Sequence, residues 1–176
     1  MFGFLSKLFG GSKSEKDVKK LLPVVEKINN YFQQYQSLTN DELRGKTQEF
    51  RQRIKAHLSE IDKKLEALNA EAEALSHDKL VEKDKIYKQV DELKKERDKE
   101  IEKILDELLP EAFAVVKETA RRFKENEQIV ATATDLDREL SVKSDYITID
   151  GDKAIYSNTW TAAGGKITWN MVHYDV

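Results

Sequence analysis

Few residues here are of types that could do covalent or metal chemistry, and their spacing argues against most of it. Cysteine is absent, which removes disulfides, thiolate metal sites and a cysteine nucleophile. His57, His77 and His173 are the only histidines, and they lie too far apart for metal-ligand spacing. The acidic pairs Asp91-Glu92 and Asp106-Glu107 offer hard oxygen ligands. However, residues 57–109 hold 11 basic and 16 acidic side chains with Tyr87 as their only aromatic. Charges of both signs at i,i+4 spacing read as solvated helix faces. Gly164-Gly165-Lys166 suggests a phosphate loop, but that loop needs a second glycine at a fixed distance and Ser or Thr after the lysine. Ile167 stands there instead, so a hairpin turn is expected.

The elements that would position these residues follow from composition. A chain of 176 residues with 39% hydrophobic content can bury a core as one domain or two small ones. Lys+Arg 30 against Asp+Glu 33 leaves a net charge of -3, which argues against a nucleic-acid binder working through a basic field. The opening MFGFLSKLFGG is too short an apolar run for a membrane span and lacks the layout of a secretory signal. Wound as a helix, it would set Leu5, Leu8 and Phe9 on one side with Met1 or Phe2, for a lipid headgroup boundary with Lys7 and the terminal amine facing anionic lipid. The candidate membrane residues are Phe2, Phe4, Leu5, Lys7, Leu8 and Phe9. A short apolar helix packing on its own protein is the competing reading. The last residues, from Trp169 to Val176, alternate apolar and polar without a tail and read as a cut through an element.

Between Gly45 and Gly151 there is no glycine and one proline, Pro110, so long helices are expected. A first helix over Glu15 to Gln36 should bury Val18, Leu21, Leu22, Val25, Ile28, Phe32 and Tyr35. Thr39 followed by Glu42 has the capping-box pattern, which starts a second helix near Asp41. From Leu58 through Ile61, Leu65, Leu68 and Ala72 to Leu75 the apolar steps are 3 and 4, a heptad seam. Beyond Ser76-His77-Asp78 the seam returns at Ile86, Val90 and Leu93, is interrupted by Arg97, and resumes at Ile101, Ile104 and Leu108. Two seams joined by a polar corner predict an antiparallel helical hairpin whose distal part stands in solvent. Arg97 either fixes the register or marks an opening to a partner. Pro110-Glu111 reads as a fresh helix start, with Ala112, Val115, Val116, Thr119, Ala120 and Phe123 as its buried face.

After residue 126 the composition turns to strand formers. Tyr146 to Ile149, the turn Asp150-Gly151 and Ala154 to Tyr156 predict a hairpin. A further strand is expected over Lys166 to Val172, with Ile167, Trp169 and Met171 on a core face. The fold class is therefore α+β, mainly helical, with a long antiparallel coiled-coil hairpin and a small C-terminal antiparallel β unit.

Two segments carry a family likeness. Leu38-Thr39-Asn40-Asp41-Glu42-Leu43-Arg44-Gly45-Lys46-Thr47-Gln48-Glu49-Phe50-Arg51 resembles the early LSxEELxGKTxEFR segment of SecA, the preprotein translocase ATPase. Leu109-Pro110-Glu111-Ala112-Phe113-Ala114-Val115-Val116-Lys117-Glu118 resembles that family's LPEAFAVVREA segment. Met171-Val172-His173-Tyr174-Asp175-Val176 resembles its MRHFDVQ stretch. By this likeness Met171 and Tyr174 would flank adenine at the edge of the first nucleotide-binding domain, with Val172 in place of the usual arginine. The implied layout is an amphipathic segment at 1–12, a helical region at 13–56 and 104–126, an inserted coiled-coil hairpin at 57–103, and a β-rich insertion at 127–176 leading into the adenine motif.

The resemblance implies an ATP- and Mg-dependent motor that moves preproteins through the SecY channel, cytoplasmic and peripheral on the cytoplasmic face of the inner membrane. Its implied partners are SecY, preprotein and anionic phospholipid, with a homodimer open and no nucleic acid. Neither Walker motif occurs in this sequence, so the chain alone is expected to bind no cofactor and hydrolyse no ATP. The competing expectation is a non-enzymatic coiled-coil adaptor.

Overall fold

The computed structural model describes residues 13–76 and 78–169. They form two compact units, one over Gly45–Leu109 and one joining the residues up to Arg44 with those from Pro110 on. Three helices come first: α1 (Lys13–Tyr35), α2 (Asn40–Ala74) and α3 (Leu80–Glu125). The break between α1 and α2 is closed as the capping box predicts. The Thr39 amide donates to Glu42 Oε2 at 2.7 Å, and the Glu42 amide donates to Thr39 Oγ1 at 3.2 Å.

The Gly45–Leu109 unit is the predicted hairpin. Ala72, Ile86 and Val90 form a buried cluster with Leu65, Leu68 and Leu75 packed against it, and Leu58, Ile61, Ile104 and Leu108 are buried along the same seam. Contacts across it pair His57 with Glu100 at 2.7 Å and Asp62 with Arg97 at 2.6 Å, residue numbers falling on one side as they rise on the other. The helices are thus antiparallel. Arg97 makes an ion pair with Asp62 across the hairpin, the role a polar residue plays in fixing register.

Helix α3 runs unbroken through Pro110, which corrects the expected new start there. Proline inside a helix leaves the Asp106 carbonyl without its amide partner and costs about 3 kcal/mol. Leu108 on one side and Glu111 and Ala114 on the other are buried, and that packing outweighs the loss. Past the proline the buried line is Glu111, Ala114, Glu118 and Arg122, while Phe113 and Val116 are 57% and 67% exposed. The expected apolar face therefore points outward at Val116, because paired charges occupy the inner side. In α1, Val18, Leu21 and Leu22 are exposed, contrary to expectation. Burial starts further along, where Ile28, Tyr31 and Phe32 pack on the cluster of Tyr35, Leu43 and Ala114. An apolar stripe sets which side can pack but not how much of its length meets a neighbour.

Beyond α3 come β1 (Gln128–Thr132), α4 (Asp135–Lys143), β2 (Ile147–Asp150), β3 (Lys153–Ser157), β4 (Thr159–Ala162) and β5 (Gly165–Thr168). One antiparallel sheet has the order β1-β3-β2; the other is the β4-β5 hairpin. Strands β1 and β4 and helix α4 add to the predicted set. The β2-β3 pair closes at Asp150 and Lys153, so its turn is Gly151-Asp152, one residue later than expected. Gly151 takes φ 59°, and only this first turn residue is positive, as in a II′ turn. The β4-β5 turn is Ala163-Gly164 rather than Gly164-Gly165, with Ala162 opposite Gly165. Ala163 sits at φ 51°, a conformation that costs an L-residue about 1 to 2 kcal/mol. Strand β5 ends at Thr168, and Ile167 is 43% exposed rather than core. Trp169 does pack inward, its ring 5.5 Å from Trp160 and 5.8 Å from Phe123.

Candidate functional site

The described residues concentrate their charge chemistry where the start of α2 meets the β unit. Edge strand β1 would otherwise leave its outward polar groups open. The first turn of α2 answers them with side chains. Asn40 Nδ2 donates to the Val130 carbonyl at 2.8 Å. Asp41 accepts from the Thr132 amide at 2.8 Å and from its hydroxyl at 2.7 Å, and Arg44 Nη1 donates to the Thr132 carbonyl at 3.2 Å. The hydrogen bonds from Thr132 hold the Asp41 carboxyl below its ordinary value.

Arg44 also reaches the buried carboxylate Asp137 on α4, with Nη2 to Oδ1 at 2.5 Å. Tyr156 on β3 donates to the same oxygen. The other oxygen, Oδ2, accepts from the Thr134 amide at 2.8 Å and hydroxyl at 2.9 Å, closing a capping box at the start of α4. Burial alone would raise the Asp137 pKa. The hydrogen bonds from Arg44, Tyr156 and Thr134 outweigh it and hold the carboxyl well below the usual carboxylate range. Tyr156 is pushed up to about 12, by burial first and by its bond to Asp137 second.

A second network sits on the inner side of α3. Glu118, fully buried, receives Arg121 Nη2 at 2.8 Å and Arg122 Nε at 2.7 Å. Burial opposes its ionised form, yet the two arginines win and its pKa is lowered. Arg122 extends further, donating to Asn40 Oδ1 at 2.6 Å and to the carbonyls of Tyr35 and Leu38 at 3.2 and 2.7 Å. It thereby caps the carbonyl end of α1. Tyr35 Oη donates to Glu111 Oε2 at 3.2 Å.

These groups position the elements they join. Asp137 and Glu118 are held ionised by fixed donors, which suits a brace and not a general base poised near neutrality. Among the described residues no group of three or more His, Asp or Glu could hold a metal ion. The sequence-predicted residues Phe2, Phe4, Leu5, Lys7, Leu8, Phe9, Met171 and Tyr174 all lie outside the described residues, as do His77 and His173. The brace itself was not foreseen. Thr134 and Asp137, spaced as a capping box, were the local signal for α4; the pairing of Arg44 with a residue 93 positions away had none.

The two motif-bearing segments, around Leu43 and around Ala114, meet in one apolar cluster with Tyr35. The family profile described as SecA DEAD-like domain matches residues 5–176, and the chain belongs to this family. Proteins described as protein translocase subunit SecA are similar to it. The one from Flavobacterium psychrophilum is 49% identical over 97% of this chain, and that from Christiangramia forsetii 47% over 97%. The one from Amoebophilus asiaticus is 47% identical over 99% of this chain. The chain spans only 15 to 16% of the length of these relatives. No solved structure matches.

Proposed function

We propose that this chain is the N-terminal part of a SecA motor that uses ATP and Mg to move preproteins through the SecY channel. The observation that carries the reading is the match to translocase relatives along nearly the whole chain, at 49% identity over 170 residues for one of them. Within the motor, the segment holding Phe2, Phe4, Leu5, Lys7, Leu8 and Phe9 contacts anionic phospholipid or the channel. Met171 and Tyr174 form one edge of the adenine site. The parts that carry phosphoryl transfer lie elsewhere in the longer protein, and this chain alone is inactive. The protein works peripherally on the cytoplasmic face of the inner membrane. No helix among the described residues is long and apolar enough to cross a bilayer. The outward Phe113 and Val116 and the exposed Val18, Leu21 and Leu22 suit packing by further parts of a longer polypeptide.

The alignment over 97% of the chain takes in the hairpin, which favours the motor reading over a non-enzymatic coiled-coil adaptor. The test deletes Met1 to Gly10 from the full-length translocase and measures flotation with vesicles of anionic and of neutral lipid. Loss of the anionic-vesicle fraction is expected. Equal flotation with and without these residues would refute the lipid contact.

A further inference from the structure

The hairpin unit carries a surface groove of about 1130 Å³ that neither the brace nor the motor reading uses. Its floor is Ala67 and Leu68 of α2 and Leu93 of α3. Leu68 and Leu93 are seam residues, yet they stay half-buried where the next layer, Ala72 and Val90, is 0% and 2% exposed. The small side chain of Ala67 leaves this flank of the seam uncovered. Two helices do not finish the layer here, and a third helix laid along them would.

The rim states what that third helix should carry. Lys64 on α2 and Lys88, Lys95 and Lys99 on α3 border the groove, against Glu92 and Glu96. Lys88 and Lys95 pair with Asp84 and Glu92 of their own helix at 2.8 Å each. Those contacts are solvent-exposed, and such pairs are worth little, so both ammonium groups are free to re-pair. Lys64 makes no ion pair among the described residues, and Lys99 only helps Lys95 hold the exposed Glu92 carboxyl below its ordinary value. From Lys88 to Lys99 the rim runs about 16 Å at 1.5 Å per residue, three helical turns. We propose that this groove docks an amphipathic helix of a partner protein, about three turns long, with an apolar stripe flanked by Asp and Glu. Phosphate-bearing partners would use the lysines but leave the apolar lining of Ala67, Leu68 and Leu93 unmatched, which is why a protein helix is favoured over nucleic acid or a bilayer.

The test displays a library of helical 14-residue peptides to the full chain. Leu or Ile is fixed along one face, and the flanking positions are varied among Glu, Gln and Lys. The recovered pool is expected to carry Glu over Lys at the flanks by tenfold or more. Against the exposed double variant Lys64→Glu with Lys99→Glu, that preference should vanish or reverse, with the circular dichroism spectrum unchanged. A pool no larger than that from empty support, or one with equal Glu and Lys, overturns the proposal. Retention of anionic vesicles or an RNA oligomer in preference to every recovered peptide, lost in the same variant, would assign the rim to those partners and also overturn it. A second variant, Ala67→Glu, places a carboxylate on the floor and should cut peptide retention at least tenfold without touching a lysine.

Discussion

The two units of this chain solve the same problem, holding long helices in register, by opposite means. In the hairpin the interior is aliphatic and the charges are half-exposed pairs at its flank, such as Asp62 with Arg97. In the unit that carries the sheet, carboxylates go inside. Glu118 and Asp137 are fully buried, each answered by arginine and by fixed neighbours. The contrast teaches where charge specifies structure. A seam of leucines and isoleucines is defined by shape, whereas the position of a small sheet beside a helix end is defined by which donors meet which oxygens.

Breaking the buried pair should show the largest effect. Asp137→Ala strands Arg44 and Tyr156 and removes the α4 cap, with an expected loss of about 3 to 4 kcal/mol, read by urea unfolding. A loss under 1 kcal/mol would mean that the sheet is held by packing, as the hairpin is. In the hairpin the matching experiment is Leu58→Ala, a cavity in the seam. Its expected cost is about 2 to 3 kcal/mol, toward the low end for leucine because two helices can close in on each other.

The pH profile sharpens the comparison. Asp137 and Glu118 have folded pKa values below their ordinary 3.8 and 4.5, so their contribution is complete above those values. It is lost as pH falls below them towards the folded values. Tyr156 gives the mirror case, its contribution present below the ordinary 10.0 and lost as pH rises from there towards about 12. Near-ultraviolet dichroism of Trp160 and Trp169 should therefore collapse in acid. Asp137→Asn should flatten that acid limb, and an unchanged limb would count against the brace. Smaller still, Thr134→Ala should cost about 1 kcal/mol through loss of the α4 cap. Arg97→Ala, at a half-exposed pair, should move the unfolding midpoint least of all.

The hairpin was legible because its cause is local and periodic. Apolar steps of 3 and 4 from Leu58 to Leu75 appear in the sequence as they do in space. The Thr39–Glu42 start of α2 was legible for the same reason. The brace was not, since Asp41 with Thr132 and Arg44 with Asp137 are joined only by the folded path of the chain. The face of α3 beyond Pro110 was misjudged on a physical point. Hydrophobicity favoured Val116 as interior, but Glu118 and Arg122, mutually neutralised, took that place. The hairpin turns slipped by one residue because Asp150-Gly151 and Gly151-Asp152, like Ala163-Gly164 and Gly164-Gly165, both offer a glycine, and strand register decided between them.

We propose that this chain supplies contacts to a translocation motor while the rest of that protein carries the chemistry. Phosphate release measures it most directly, with the purified 176-residue chain and the full-length translocase compared under the same ATP, Mg, anionic vesicle and preprotein conditions. Release should rise with vesicles and preprotein for the full-length protein and stay at the blank for the chain alone. Steady release that stays with the isolated chain through purification would contradict it.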